Sequence, residues 1–467
     1  MAGSAATSFG SSYQENLYDS IKDKPLHVDV VILQKGRTRP YIIEKELQRI
    51  QGAHSLDELK VRLLEAQEAL EALNIFEAVQ ITVDAGSPTD PESCILRVHC
   101  PERRIWHAHA GTYLAETEAK FEGQFGLTNP LGYAEKIDIT MERSTKNSTE
   151  YGLQFMKPRI FGSSLDSRAS LAQHFLDRQQ WSSYVENYRG TTFGLTSANG
   201  RHNVAYELAW RALSNPNRAA SQSVRRQCGN HLKSALQYVY HWQRGDCDDP
   251  GDPDGGVSFR STSEVAGVGA ESSLLRFVRQ HFQGAVSLPT GGGTSLFLQA
   301  SGGALVPWGH SWQKKQTCIS DRFFLGGVSS LRGFYEKQAG PTEARIGSPS
   351  QSGMGSSYNR DALGGDLYAT VLAALRFEFP SKGLQEAGIH GHLFVNGGNL
   401  SLLSGTSRSI KQAVTEDFVR SWRWSVGVGL RWQTTIGTLE VNLCQVLAQQ
   451  QHDRPRIGFQ FGVTPPA

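Results

Sequence analysis

One arginine in a glycine- and serine-rich segment is the residue best placed for specific chemistry in this chain. Residues 321–335 read DRFFLGGVSSLRGFY, and Arg332 stands there between Leu331 and the pair Gly333-Phe334. Glycine lets the backbone approach a neighbour closely, and leucine and phenylalanine can act as apolar anchors. A guanidinium pairs with carboxylates through charge-assisted hydrogen bonds. The alternative interpretation is a solvated arginine in a flexible loop.

The last segment of the chain carries a second pattern. Residues 456–463 read RIGFQFGV, which is polar-x-Gly-x-x-apolar-x-apolar. Period-2 alternation predicts a β-strand with one apolar face. Together the two patterns indicate a membrane β-barrel with a folded-in loop and a chemically marked last strand.

Strand-like segments recur from residue 104 to the end of the chain, with turn residues between them. Many are about ten residues long, which suits tilted strands that cross a bilayer. We predict about sixteen antiparallel strands, with a long Gly- and Ser-rich insertion at 326–363. The segments are 105–114, 120–128, 134–144, 148–157, 165–176, 183–196, 202–213, 231–244, 257–268, 273–287, 294–306, 365–379, 389–396, 422–434, 437–446 and 456–463.

The composition of the chain limits the classes of protein to which it can belong. The 467 residues are 39% hydrophobic and 20% charged, with a mean hydropathy of −0.38. Helical membrane proteins need runs of about 20 apolar residues, and the sequence contains none. A transmembrane barrel averages to such values because lipid-facing and lumen-facing residues alternate. The net charge of +2, without a dense basic tract, argues against nucleic-acid binding.

Residues 26–101 differ from the rest because they carry helical periodicity. They predict a strand at 28–33, helices at 41–50 and 55–73, and strands at 78–84 and 94–99, in the order β-α-α-β-β. Ser55 and Glu58 have capping-box spacing at the second helix. The predicted buried face of that helix consists of Leu59, Leu63, Leu64, Ala66, Leu70 and Leu73.

The N-terminal residues 1–25 predict a disordered tail. They lack both the basic and the apolar regions of a secretory signal. We therefore expect the chain to reach its membrane from the cytosol. The barrel itself would occupy residues 102–467.

The sequence carries no pattern that we interpret as an enzyme, metal or cofactor site. The glycines at 291–293 are not followed by the Lys-Ser/Thr of a phosphate loop and predict a hairpin turn. The six cysteines have no zinc-like spacing. We expect scattered thiols, with a Cys228–Cys247 bridge as the alternative.

Several stretches resemble the mitochondrial sorting-and-assembly barrel, a member of the superfamily of outer-membrane barrel insertases. The N-terminal module resembles a single POTRA domain, with LEALNIFEAV at 70–79 as its most typical stretch. A single POTRA module favours the mitochondrial family over the bacterial and plastid ones. The stretches in the barrel are FFLGGVSSLRGF (323–334), LGGDLYATVLAALRFEFP (363–380), LFVNGGNL (393–400), RWSVGVGLRW (423–432) and GTLEVNL (437–443).

This resemblance implies that the L-R-G-F loop folds into the barrel lumen and that its arginine meets a carboxylate on the inner wall. Arg332 would be that arginine, and Glu440, Glu378 and Asp366 are the candidate partners, among which the sequence does not choose. Bacterial relatives often have an acid where Asn396 stands, so a weaker or neutral wall contact is expected there.

The last segment resembles the insertion signal of mitochondrial barrels, carried here by Arg456, Gly458, Phe461 and Val463. Strand addition is the physical basis, because an open strand edge offers unpaired N–H and C=O groups. We expect a lateral gate between this strand and the first strand of the barrel. The first-strand residues of the gate would be Trp106, His107, Ala108 and Tyr113.

The resemblance implies a core insertase of the mitochondrial outer membrane, with the POTRA domain in the intermembrane space. Expected partners are β-barrel precursors, the lipid bilayer and peripheral sorting-and-assembly subunits on the cytosolic side, with inner-membrane contact-site proteins as further candidates. Neither catalysis nor a cofactor is implied. The alternatives are a plastid envelope or other protein-translocating channel, a passive porin, and a soluble β-rich interaction protein.

Overall fold

The computed structural model describes most of the chain, in two compact units. The predicted tail 1–25 and Cys247 lie outside the described residues. The described residues are 27–32, 36–50, 53, 55–85, 93–115, 118–215, 219–245, 255–269, 274–309, 316–346, 359–403, 418–434 and 437–464. One unit comprises residues 1–108, 125–138 and 155–160, and the other comprises 109–124, 139–154 and 161–467.

The N-terminal part is a small α/β module in the predicted β-α-α-β-β order. Its sheet has the order β1-β3-β2, with β1 parallel to β3 and β2 antiparallel to it. The fold class predicted from the sequence for this module is confirmed. Its elements are β1 (His27–Ile32), α1 (Pro40–Leu47), α2 (Leu56–Ala72), β2 (Gln80–Ala85) and β3 (Ser93–His99).

The core of this module lies between the two helices and the sheet. Leu59, Leu70 and Leu96 are at most 2% exposed there. Helix α2 begins where predicted, because the Ser55 hydroxyl accepts a hydrogen bond from Glu58 N at 3.3 Å. The expectation for Leu64 was wrong, since its exposure is 57%. Each helical residue advances by about 100°, which turns Leu64 from the buried stripe to solvent.

Sixteen further strands form one sheet, and each overlaps one predicted segment. The tenth strand of this sheet begins and ends about four residues later than the predicted segment 273–287. The strands are β4 (Trp106–Ala115), β5 (Glu118–Thr128), β6 (Lys136–Ser144), β7 (Thr149–Lys157), β8 (Leu165–Asp177), β9 (Val185–Ser197), β10 (His202–Ser214), β11 (Gly229–Arg244), β12 (Gly256–Ala266), β13 (Phe277–Gly291), β14 (Thr294–Pro307), β17 (Leu367–Glu378), β18 (Ile389–Ser401), β19 (Arg423–Thr434), β20 (Gly437–Ala448) and β21 (Gly458–Thr464).

This sheet is the wall of the predicted membrane β-barrel. Its order runs from β21 through β20, β19, β18, β17 and β14 and then down to β4, so β4 and β21 are the two terminal strands of the order. Two short strands outside the wall, β15 (Thr342–Ala344) and β16 (Arg360–Ala362), pair with each other. The short helices are α3 (Gln179–Ser182), α4 (Gln222–Arg225), α5 (Lys382–Glu386) and the 3-10 turns Ile160–Gly162 and Ile319–Asp321.

The wall strands have one apolar exposed face and one inner face. On β10 the side chains of Tyr206, Leu208 and Trp210 are about 40% exposed, whereas Ala209 and Arg211 between and beside them are buried. This alternation explains the neutral mean hydropathy. Among the described residues, no helix is long and apolar enough to span a membrane.

Candidate functional site in the barrel lumen

The described residues 316–340 of the connection from β14 to β17 pack against the inner face of the wall. Phe323 and Gly365 exchange two backbone hydrogen bonds of 3.0 and 2.9 Å at its base. Leu331 and Phe334 are fully buried. They pack in an apolar cluster with wall residues such as Tyr368. The two apolar residues of the L-R-G-F motif therefore anchor this lumen loop, defined here as residues 321–340.

Gly333 permits the close approach that its place in the motif suggests. Its φ is +84°, and a Cβ added there would lie 3.1 Å from Ser425 Cβ and 3.2 Å from Val446 Cγ2. Residues with a side chain rarely adopt this backbone conformation. Two constraints therefore favour glycine at this position: the positive φ of the backbone and the tight space beside Ser425 and Val446.

Arg332 contacts the wall at Glu440, on β20. Its Nε donates to Glu440 Oε1 at 2.6 Å, and the two side chains are 15% and 11% exposed. Asn442 Nδ2 donates to the same carboxylate oxygen at 2.6 Å. The guanidinium also lies 5.2 Å from the centre of the Phe394 ring. Ion pairing in this water-poor setting gains strength from the low local dielectric.

The other two candidate acids lie elsewhere in the described structure. Asp366 accepts hydrogen bonds from the Thr317 hydroxyl at 2.5 Å and from Leu403 N at 3.2 Å. Glu378 accepts from Gln385 Nε2 at 3.4 Å, near the hairpin end of β17. The structure thus brings one of the three acids, Glu440, to Arg332.

Neutral side chains hold the backbone at Arg332. The Ser425 hydroxyl donates to Arg332 O at 2.6 Å. With its amide oriented to satisfy both neighbours, Asn396 accepts from Arg332 N at 2.7 Å and donates to Ser425 Oγ at 2.5 Å. Both residues are at most 1% exposed. Asn396 therefore makes a neutral contact with the motif, through its backbone.

The last strand also holds the motif, through a residue that sequence reasoning missed. Gln460 of β21 is 2% exposed. Its Oε1 accepts from Gly333 N at 2.9 Å, and its Nε2 donates to Phe334 O at 3.1 Å. Just before β21, Arg456 N donates to Gly333 O at 2.7 Å. The lumen loop and the last strand form one hydrogen-bonded unit.

The outward side chains of this last segment are apolar and exposed or partly exposed. Phe461 is 58% exposed, and it lies opposite Val441 of β20. Val463 lies opposite Leu439 in the same ladder. Gly458 has a φ of +97° with open space around its Cα. The guanidinium of Arg456 lies 5.5 Å from the centre of the Tyr335 ring, so it faces the lumen loop.

The predicted first-strand residues lie on β4. Trp106 is 56% exposed, and Ala108 is exposed as well. His107 Nε2 lies 3.4 Å from Asp138 Oδ1. Tyr113 belongs to β4, but its side chain is outside the described part. Pairing of these residues with β21 at a gate stays a prediction.

A buried ion network at the start of the lumen loop was missed from the sequence. Arg211 of β10 donates to Asp321 Oδ1 at 2.7 Å. Lys233 of β11 lies 3.8 Å from the same oxygen, 3.0 Å from Glu207 and 2.5 Å from Glu264. Burial alone would raise the pKa of Asp321, but Arg211 and Lys233 reverse this effect and the pKa falls below its ordinary value.

A second buried pair joins β19 to the connection between β20 and β21. Arg423 donates to both carboxylate oxygens of Asp453, at 2.7 and 3.0 Å. Its third contact is Asn399 Oδ1 at 2.6 Å. Asp453 also accepts from Gly340 N at 3.0 Å, which connects this pair to the end of the lumen loop.

One feature of the sequence could have predicted the residues of the buried ion network. Arg211, Lys233 and Glu264 are buried charged residues on β10, β11 and β12, and each stands beside at least one apolar residue in the sequence. Ionisable groups of both signs on three successive strands indicate a paired network on the inner wall. Gln460 gives no such signal, because a glutamine in a short strand is common in any solvated sheet.

Comparison with known proteins agrees with this geometry. The Omp85 superfamily domain matches residues 129–464, so the chain belongs to the Omp85 superfamily. In solved structures, BamA from Haemophilus ducreyi lacking POTRA domains 1–3 superposes with a TM-score of 0.73 at 17% identity, over 93% of this chain and 84% of that one. CdiB from Acinetobacter baumannii gives 0.52 at 12% identity, over 94% and 73%.

Within the superfamily the chain belongs to the sorting and assembly machinery component 50 family. The homologue from Bos taurus is 30% identical over 91% of this chain and 87% of its own length. The homologue from Mus musculus is 29% identical over 98% of this chain and 96% of its own length. The fold class and the family indicated by the sequence are therefore confirmed.

Proposed function

We propose that this protein inserts β-barrel precursors into the mitochondrial outer membrane through a seam between β4 and β21. The observation that carries the proposal is the last strand. With seven residues, β21 is the shortest of the sixteen strands in the described wall, and it lies at one end of the sheet order. A short edge strand separates at a low cost and exposes the edge of β20 to an incoming strand.

Strand addition needs neither covalent chemistry nor a bound cofactor. The N–H and C=O groups of an open edge have no hydrogen-bond partner in lipid, and the incoming strand supplies the missing partners. The barrel thus provides a template for the last strand of the precursor. Phe459 and Phe461 of β21 are exposed apolar side chains, and a replacement strand would present side chains of the same kind to lipid.

The partners follow from the family. The relatives are named as components of a sorting and assembly machinery. We propose that this chain likewise works with peripheral subunits on the cytosolic side, with the POTRA domain in the intermembrane space. Inner-membrane contact-site proteins are further candidate partners.

A reconstitution experiment tests the activity. The purified chain in liposomes would receive a radiolabelled mitochondrial porin precursor, and insertion would be measured as protease-resistant, alkali-resistant porin. We expect insertion by the wild type and its loss in Arg332→Ala. No insertion by the wild type, together with a large steady conductance in planar bilayers, would contradict the proposal and favour a passive channel.

Cross-linking tests the seam. In a background without native cysteines, cysteine pairs would be scanned between 107–113 and 457–463, and oxidation of the pair that bonds should abolish insertion while the barrel stays folded. Val265→Cys with Val278→Cys is the matched control, because these exposed residues lie directly opposite each other on β12 and β13. Unchanged insertion with a closed seam would exclude this route.

A further inference from the structure

We infer that the Gly333-Phe334 peptide of the lumen loop is a binding site for a primary amide side chain that points inward from the strand paired with β20. Gln460 fills this site in the structure. Resting on the proposed function, the inference adds a substrate preference: a precursor whose last strand presents glutamine at the equivalent position is inserted faster.

The loop peptide offers one donor and one acceptor in fixed positions, and Cys444 Sγ of β20 donates to Gln460 Oε1 at 3.6 Å as a second donor. Gly333 N donates to Gln460 Oε1 at 2.9 Å, and Phe334 O accepts from Gln460 Nε2 at 3.1 Å. Phe334 and Gln460 are at most 2% exposed, so water has little access to either group. An amide is the side-chain group that carries both complementary functions on one planar unit.

The peptide cannot relax away from the strand easily. Gly333 has a φ of +84° and stands against Ser425 and Val446. The carbonyl oxygen of the preceding residue, Arg332, accepts from the Ser425 hydroxyl of β19 at 2.6 Å, a contact that does not involve the last strand. Leu331 and Phe334 fix the motif on either side by full burial. The donor and acceptor are therefore preorganised before any strand arrives, which lowers the entropic cost of binding.

Other residue types would leave part of the site unsatisfied. Leucine would leave both the Gly333 N–H and the Phe334 C=O without a partner, and unpaired buried backbone groups are costly. Glutamate could accept from Gly333 N but would face the Phe334 oxygen without a proton to donate. It would also add a negative charge near Glu440, whose ladder partner Gly462 is on the same strand.

The register places this preference within the last-strand pattern. Gln460 lies directly opposite Asn442 of β20. It immediately precedes Phe461, the first apolar residue that the pattern requires after its glycine. A precursor strand that docks in the same register would place its corresponding residue at the Gly333-Phe334 peptide. Backbone hydrogen bonds between strands do not distinguish residue types. Recognition of one inward side chain would therefore add selectivity for the sequence of the precursor strand.

The first arm of the test concerns the resting barrel and needs no insertion activity. Hydrogen exchange of the segment containing Gly333 would be measured in Gln460→Leu, Gln460→Glu and Gln460→Asn. We expect about tenfold faster exchange in the first two, and a smaller increase for asparagine, which keeps both functions on a shorter side chain. Gln237→Leu, at an inward position of β11, is the matched control. Unchanged exchange in Gln460→Leu and Gln460→Glu would overturn the amide site.

The second arm uses the radiolabelled porin precursor, with glutamine, leucine or glutamate at the residue before the first apolar position of its last-strand pattern. Wild-type barrel should insert the glutamine form about tenfold faster than the other two. In Gln460→Leu barrels the same order should hold, because the site lies in the loop. Equal rates for the three precursors would overturn the substrate preference. Absence of all insertion would instead refute the proposed function, and the exchange arm would still test the site.

Discussion

Asp321, at the start of the lumen loop, and Arg332, within the same loop, form ion pairs with opposite sides of the barrel wall. Asp321 binds Arg211 of β10, and Arg332 binds Glu440 of β20. Seven strands separate β20 from β10 in the sixteen-stranded order. The lumen loop therefore spans the interior between two charged attachment points, and each point can be loosened separately.

The attachment at β20 gives the first prediction. Arg332→Ala leaves the carboxylate of Glu440 largely buried without its cation, which should cost about 3 kcal/mol of unfolding free energy. Urea titration of the reconstituted barrel would measure this cost. The double variant Arg332→Ala with Glu440→Gln should recover most of it, because the uncompensated charge is gone. Arg244→Ala, at an exposed end of β11, is the control, and an equal effect there would contradict the ion-pair account.

The attachment at β10 predicts a pH dependence. The pKa of Asp321 is lowered in the folded state, so its ion pairs stabilise the fold fully at neutral pH. This contribution is lost as the pH falls from about 4, the pKa of an unfolded aspartate, through the folded value. The wild-type loop should thus become sensitive to an acid protease at low pH. Asp321→Asn should be sensitive already at neutral pH and should respond less to acid.

The control for this pH series is Glu65→Gln, which changes an exposed carboxylate of α2. Its loop should follow the wild-type profile. If protease sensitivity of the loop varied with pH in Asp321→Asn as it does in the wild type, the network around Arg211 and Lys233 would not be what holds the loop.

Two glycines with similar backbone angles predict different outcomes. Gly333→Ala and Gly458→Ala both place a methyl group on a residue with φ near +90°, which costs roughly 1–2 kcal/mol in each case. Gly333 has Ser425 and Val446 within 3.2 Å of the new atom, whereas Gly458 has open space. We expect Gly333→Ala to release the loop and Gly458→Ala to leave it in place. Protease sensitivity of the loop would decide this, and equal sensitivity would contradict it.

The Arg423–Asp453 pair predicts a stability effect near the last strand. Asp453→Ala would remove the two carboxylate oxygens that accept from Arg423, which is 4% exposed and would keep only Asn399 Oδ1 as an acceptor, at a cost of about 3–5 kcal/mol. Since Asp453 also accepts from Gly340 N, the end of the lumen loop should loosen too. Thermal unfolding in lipid measures the first effect, and hydrogen exchange at residue 340 measures the second. A loss below about 1 kcal/mol would mean that water replaces the pair.

Local pattern in the sequence was enough to predict the wall of the barrel. Alternation has a period of two in any strand with one apolar face, so each of the sixteen strands was visible without knowledge of its neighbours. The same holds for the helices of the N-terminal module, apart from Leu64, which the advance of about 100° per residue turns away from the buried face of α2. The L-R-G-F motif was visible because Arg332 stands in a loop of small residues.

The partners of the loop were decided by tertiary structure. Glu440, Glu378 and Asp366 are equally acidic in the sequence, and the path of the loop through the lumen determines that Glu440 meets Arg332. The pairing of Asp321 with Arg211, and of Gln460 with Gly333, joins residues that are far apart in the chain. Periodicity determines which face a side chain occupies, because that depends on its own strand. Which side chain it meets across the lumen depends on closure of the whole sheet, and no local pattern encodes that distance.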